Sequence, residues 1–259
     1  MMIKRLLITF FCLMTVGCAS VPRPANVVGS VQGPPPYDAW GRVLDRFVDQ
    51  QGRVNFSALA RNRGDLDQFV AYIYDTGPNN RPNLFPTPAH VLAFHINAYN
   101  ALAMHKIIET GIPETLAGLR KVGFFLLGKV QVGGEAISLY DYENKVIRAL
   151  GEPRIHFAVN CMSVGCPRLP REVFMADQLE QQLERETRTF FAEARNVEVV
   201  DQESVLRLTE IMKFYPEDFL AKAASLTAYV NRYREPRIPE GYRVEFIPYD
   251  WTVNRQPGS

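Results

Sequence analysis

The sequence predicts an α+β fold: a central buried helix with a small, mostly antiparallel sheet and surrounding helices. Three observations lead there. Between residues 91 and 108 nearly every position is apolar, and a helix apolar on all sides belongs inside a fold. The strand-like pieces are few, short and unevenly spaced, which does not make the regular strand–helix alternation of a parallel sheet. Several other segments carry apolar residues at helical spacing on one side only.

Taken in order, Tyr37–Phe47 has helical spacing, Gln51-Gly52 suits a turn, and Val54-Asn55-Phe56 is a short alternating piece. Ser57 is read as the N-cap of a helix carrying Leu59, Leu66, Phe69, Val70 and Ile73. Thr87 caps the central helix, Pro88 sits in its first turn and Gly111 stops it, so 87–110 is expected as one helix. Among its polar residues are His95, Asn97, Asn100 and His105. Asn97 and Asn100 share a face, and if buried they need partners, because an unpaired amide costs about 1–3 kcal/mol.

Residues 124–132 read as a strand that turns at Gly133-Gly134 into Ala136-Ile137. Ser138-Leu139-Tyr140-Asp141 then starts a helix to Leu150 that presents Glu143 and Arg148. Residues 154–160 also read as a strand, with Ile155, Phe157 and Val159 on one face and His156, Ala158 and Asn160 on the other. A loop from Cys161 through Cys166-Pro167 follows, then a long polar helix over about 176–194 and a hairpin pairing Val197–Val200 with 205–208. Short helices from Thr209 and Ser225 and a strand over 242–247 complete the chain.

The N-terminus has a different character. Lys4 and Arg5 precede an apolar run of about eleven residues and the small Gly17, the layout of a signal peptide over 1–17. The run is short of the roughly 18 apolar residues a membrane-spanning helix needs. Thr15-Val16-Gly17-Cys18 resembles the lipobox of bacterial lipoproteins, with Thr15 in place of the usual Leu. That resemblance implies cleavage before Cys18 and acylation of its sulfur by palmitate-like chains. Ala19 in the next position implies the outer membrane, with the protein facing the periplasm. Several acyl chains on one residue anchor stably where one chain would not. Residues 18–36, with their prolines, are expected as the lipidated cysteine and its extended tether. The reading that follows is a single globular domain over 37–254 and a tail over 255–259.

Composition narrows the partners. The chain has 29 Lys and Arg against 28 Asp and Glu; without Lys4 and Arg5 the mature chain has 27 cations and a net charge of −1. A nucleic-acid binder shows a clustered excess of cations, so no nucleic-acid partner is expected. The partners that remain are the membrane, through the N-terminal lipid, and a peptide, a glycan or an envelope protein. Of the four cysteines, Cys12 leaves with the leader and Cys18 takes the lipid. Cys161 and Cys166 remain, and in an oxidising compartment a disulfide between them is the default expectation.

Several segments in the same order resemble domain-of-unknown-function family 547. They are Phe94-His95-Ile96-Asn97-Ala98-Tyr99-Asn100-Ala101-Leu102, Arg154-Ile155-His156-Phe157-Ala158, and Asn160-Cys161 through Cys166-Pro167-Arg168-Leu169. Ser138-Leu139 with Glu143, Lys213-Phe214-Tyr215 with Asp218-Phe219, and Tyr249-Asp250-Trp251 with Asn254 support the likeness. His95 departs from it, standing where members usually carry Trp. The family name implies no established activity. A central helix followed by a His-bearing segment and a later Asp is similar to papain-like and transglutaminase-like cysteine enzymes, an analogy of fold that does not assign chemistry.

Two functional classes fit. The first is a thiol hydrolase or acyl transferase acting in the envelope. It needs a thiolate, a base and a group to orient that base; the candidates are Cys161 or Cys166, His156, and Asp250 or Asn160. Asn97, Asn100, Glu143, Asn160 and Arg154 are candidate binding groups, with Arg154 and Arg148 suited to an anionic substrate. The second class is a noncatalytic envelope binding or scaffolding lipoprotein with a structural disulfide. A thiolate–imidazole metal site is the least favoured reading; no metal and no cofactor is expected. In both classes His156, Asn100, Glu143 and the 161–166 loop are expected to converge on one polar pocket, with Asp250 arriving from the C-terminal segment.

Overall fold

The structure is a computed structural model that describes residues 21–27 and 33–258. The expected signal peptide and Cys18 lie outside the described residues. The architecture is α+β, with helices around two small sheets.

Helix α1 (Tyr37–Phe47) buries Trp40, Val43, Leu44 and Phe47, one side of the helix at i, i+3, i+4 and i+7. It packs on α3 (Gly64–Asp75), with the rings of Trp40 and Phe69 stacked at 5.7 Å. The short α2 (Phe56–Arg61) is capped by Asn55 rather than Ser57: the Asn55 side chain accepts from the Ala58 N–H at 2.9 Å. Helix α4 (Pro88–Glu109) is the central element, buried continuously from Leu92 to Ile107. Thr87 Oγ1 accepts from the His90 N–H, and Gly111, at φ +79, takes the left-handed turn that ends the helix. Each fully buried Leu, Ile or Met side chain here stabilises the fold by about 1.5–3 kcal/mol. That is why a helix with no polar face is confined to the centre.

Residues 124–132 do not form one strand. After the short α5 (Leu119–Lys121), residues Val122–Leu127 make a π-helical turn, and β1 (Lys129–Val132) begins only beyond Gly128. The burial pattern explains why: Phe124 and Phe125 are both buried while Leu126 and Leu127 are both exposed, which no period of two can satisfy. Lys106 of α4 fixes the turn. Its buried ammonium donates to the carbonyls of Phe124 and, at 2.7 Å, Gly128. Burial, aided by Lys129, lowers its pKa to about 8.

Strand β2 (Glu135–Ser138) returns antiparallel to β1. The helix expected from Ser138 to Leu150 forms, though as three kinds of turn: α6 (Leu139–Asp141), a π-turn over Tyr142–Ile147 and a 3-10 turn over Arg148–Leu150. Neighbouring Tyr142 and Glu143 both meet α4, at His95 Nδ1 (2.8 Å) and the Tyr99 hydroxyl (2.9 Å). Burial lowers the His95 pKa to about 4, so this buried imidazole is neutral.

Residues 154–160 are a second correction. Pro153–Phe157 is a 3-10 helix started by Glu152, whose carboxylate accepts from the Arg154 N–H at 3.0 Å. Ile155, His156 and Phe157 are all buried, so the segment has no exposed face to alternate with.

Helix α7 (Leu179–Ala192) leads into a second sheet of order β3 (Val197–Val200), β4 (Val205–Thr209), β5 (Arg243–Ile247). β3 and β4 pair antiparallel, whereas β5 lies parallel to β4, with Val205 opposite Arg243. Helices α8 (Ile211–Phe214), α9 (Pro216–Leu220) and α10 (Leu226–Val230) fill the connection between β4 and β5.

Buried side chains form two apolar clusters, one around α4 and one joining α7 to the second sheet. The 3-10 segment bridges them, placing Ile155 in the first and Phe157 in the second. The segments expected as tether and tail touch the fold. Arg23 pairs with Asp75 at 3.0 Å, Asn26 donates to Asp67 at 2.8 Å, and the Gln256 N–H donates to the Val54 carbonyl at 3.0 Å.

A dithiol cavity between the two cores

A cavity of about 530 Å³ opens where the two clusters meet. Tyr99, Phe125 and Val159 wall it from the first side and Ile211, Tyr215 and Tyr249 from the second. Cys161, Cys166, His156, Glu143 and Arg148 line it as well.

The cysteine loop is held from below by amides. Asn100 of α4 accepts from the Asn160 N–H at 2.7 Å and donates to the Ala158 carbonyl at 3.0 Å. Asn160 then spans the loop, donating to the Pro167 carbonyl at 2.6 Å and accepting from the Met162 N–H at 2.7 Å. Met162 takes a positive φ of 69°, an uncommon conformation for a residue with a side chain. The Asn160 acceptor to its N–H helps hold it there.

The far side of the loop pairs with the C-terminal segment. Ser163 bridges antiparallel to Val253, and the N–H groups of Val164 and Gly165 donate to the carbonyls of Thr252 and Asp250, each at 2.8 Å. A Cβ on Gly165 would stand 2.9 Å from the Tyr249 ring and from the Asp250 nitrogen, so glycine permits this approach. Extended backbone sends alternate side chains to opposite sides. Tyr249 and Trp251 therefore reach the cavity, whereas Asp250 is exposed and accepts from the Thr252 N–H at 2.9 Å.

The two sulfurs are unbonded and 2.8 Å apart. Cys166 Sγ accepts from the Cys161 N–H at 3.0 Å, and the Tyr249 hydroxyl is 3.0 Å from Cys166 Sγ and 3.2 Å from Cys161 Sγ. Ser163 Oγ lies 3.0 Å from Cys161 Sγ and 2.8 Å from the Tyr249 hydroxyl. Burial raises the affinity of Cys166 for its proton, but donors from Cys161, Tyr249 and Ser163 outweigh it and leave the pKa at about 7. Burial and the neighbouring Cys166 push Cys161 up. Two thiols this close titrate as a unit, so the pair gives up its first proton around neutral pH and keeps its second.

The opposite wall is built from charge. His156 Nε2 is 2.7 Å from Asp218 Oδ2, and Arg148 binds the same carboxylate through both oxygens, at 2.7 and 2.9 Å. The imidazole stacks on Tyr215 at 4.3 Å, and the Arg148 guanidinium sits 4.6 Å over the same ring. Burial opposes ionisation of Asp218, yet His156 and Arg148 hold its carboxyl far below the usual carboxylate range.

The structure thus brings His156, Glu143, Cys161 and Cys166 to one cavity and leaves other candidates outside it. Asp218, and not Asp250, is the carboxylate on His156. Asn100 and Asn160 support the cysteine loop without lining the cavity. Asn97 joins α4 to α1 and to residue 174, accepting from Trp40 Nε1 at 3.2 Å and donating to the Phe174 carbonyl at 2.8 Å. Arg154 faces away, paired with Glu152 and Glu180, each at 2.7 Å. Sequence reasoning did not single out Ser163 and Tyr249 as site groups; reading 249–253 as extended would have exposed Tyr249 by alternation. Among the described residues no group of three or more His, Cys, Asp or Glu is placed to hold a metal ion.

Fold and site together define an α+β protein with a dithiol cavity between two apolar cores. Residues 86–191 match the model of the family described as "Protein of unknown function, DUF547". The matched span carries α4, His156 and both cysteines and stops short of Asp218 and Tyr249. No curated protein and no solved structure matches the chain.

Proposed function

We propose that the protein is a lipid-anchored thiol enzyme of the bacterial envelope, a hydrolase or acyl transferase that uses Cys166 as its nucleophile. One observation carries the reading: a thiol whose pKa falls to about 7 lines the same cavity as a charge-fixed imidazole. Thiolate formation is what makes a cysteine reactive. In this reading the proton lost by the cysteine pair passes to His156. The Cys166 thiolate attacks an acyl carbonyl carbon, forming a C–S bond. Tyr249, which burial keeps protonated, donates to the developing oxyanion. As the acyl–leaving-group bond breaks, His156 returns the proton to the departing atom. Water or an acceptor hydroxyl, deprotonated by His156, then releases the acyl group and restores the thiolate. Asp218 and Arg148 act through His156 as positioning residues.

The test is acylation of the reduced mature chain by a thioester probe, read by mass spectrometry. A stoichiometric adduct on Cys166, absent from Cys166→Ser, is expected. Alkylation by iodoacetamide should rise with a midpoint near pH 7, and Cys166→Ser should lower the rate at pH 7 at least about tenfold, because the remaining thiol ionises poorly. Two free thiols with no acyl adduct would end the enzyme reading.

A second reading rests on the 2.8 Å between the sulfurs, less than 1 Å beyond the roughly 2.04 Å of a formed bond. Oxidation to a disulfide would consume the thiolate and leave a noncatalytic cavity that binds a peptide, a glycan or an envelope protein. Absence of titratable thiols in protein isolated without reductant would favour it.

A further inference from the structure

Four apolar side chains of one segment beside the cavity are left without cover. Leu119 is 90% exposed, and Val122, Leu126 and Leu127 are 39%, 44% and 46% exposed. These values contrast with Phe124 and Phe125, which are buried in the same turn. The segment is therefore fastened inward by two rings and presents its remaining apolar groups outward, and such contiguous exposure marks an interaction surface. Lys121 adds a second fastening, with its ammonium 3.9 Å from the centre of the Trp251 ring.

The path of the chain indicates what this surface meets. The Val21 N–H donates to the Lys129 carbonyl at 2.7 Å, and Val21 packs against the first core. Val21, the first described residue, thus lies beside the end of the exposed segment. Cys18 is three residues upstream, a distance of at most about 11 Å in fully extended chain. Arg120 is exposed, with no ion partner among the described residues, and Lys129 is half-buried nearby. Positive charge near exposed Leu and Val suits the headgroup region of a membrane with anionic lipid.

We propose that residues 119–127 rest in the surface of the bilayer that holds acylated Cys18, so that the cavity mouth, which Val122 and Leu126 line, opens toward lipid. The proposal depends on the lipid-anchor reading of Cys18 and not on the thiol chemistry.

Two measurements test it. In the first, the mature chain from residue 18 carrying Cys18→Ser is floated with phosphatidylethanolamine vesicles containing one-quarter phosphatidylglycerol. The same chain also carrying Leu119→Asp and Leu127→Asp, neither of which lines the cavity, should bind at least tenfold more weakly. In the second, amide hydrogen exchange over 119–127 of the acylated wild-type protein in those vesicles should be at least tenfold slower than in the unacylated chain free in solution. Equal binding of the two chains, or unchanged exchange in the vesicle-held protein, would overturn the proposal. Slowing produced by envelope proteins but not by lipid alone would also overturn it and assign the face to a protein partner. Cys166 alkylation in the same samples reports the thiol reading separately: its failure with 119–127 protected would sink the enzyme and leave the membrane contact standing.

Discussion

The two walls of the cavity hold their polar groups by opposite means. On the sulfur wall, Cys161, Cys166, Ser163 and Tyr249 share hydrogen bonds among groups that are neutral except for one mobile charge. On the imidazole wall, His156 is gripped by the full charges of Asp218 and Arg148. A network with one proton to move responds to small changes near neutral pH. An Asp–Arg pair whose carboxyl lies far below the ordinary range keeps its charge there. The difference points to a division of labour in which one wall changes charge and the other keeps its geometry.

The comparison can be broken most severely from beneath. Asn100→Ala leaves the buried Asn160 N–H and Ala158 carbonyl without their partner, a loss of about 2–4 kcal/mol. Denaturant unfolding should show it as a lower midpoint at unchanged slope. The sulfur wall should fail with it, the alkylation midpoint of Cys166 moving up, while the imidazole wall, which does not rest on Asn100, keeps its geometry. A variant that loses the stability but keeps the midpoint would mean the loop does not depend on this amide.

Tyr249→Phe is a finer cut. It removes the hydroxyl within hydrogen-bond reach of both sulfurs and little packing, so the alkylation rate at pH 7 should fall several-fold through an upward shift of the midpoint. Thermal stability should hardly change. An unchanged pH profile would remove Tyr249 from the account of the low thiol pKa.

The smallest effect is expected on the other wall. Asp218→Asn should destabilise the protein by about 1 kcal/mol at pH 7, a value kept low because the site is partly open to solvent. The sign follows from linkage. A carboxyl depressed in the folded state stabilises above its unfolded value and loses that contribution as pH falls through its folded value. Wild type and variant should therefore converge only well below about pH 4, the ordinary Asp value. The Cys166 midpoint should move less in Asp218→Asn than in Tyr249→Phe, which removes a direct partner of the sulfur, and the two shifts should add in the double variant. Coupling between them would show that the two walls are one network.

Much of this was legible before folding. The all-round apolar stretch, Thr87-Pro88 at its start and Gly111 at its end determined α4, because burial and capping are written in residues a few positions apart. The β3–β4 hairpin, the helical start at Ser138 and the cysteine pair five residues apart were equally local. Where the reading failed, the deciding partner lay far along the chain. Residues 122–127 turn helically because Lys106 holds the carbonyls of Phe124 and Gly128, and Pro153–Phe157 coils because both cores claim its side chains. Asp218 rather than Asp250 meets His156 because α9 packs there, 62 residues away, while pairing with the cysteine loop turns Asp250 outward. The low proton affinity of Cys166 needs a tyrosine 83 residues distant. Periodicity records how one element is buried; which groups then face each other depends on how elements pack, and only the tertiary structure decides that.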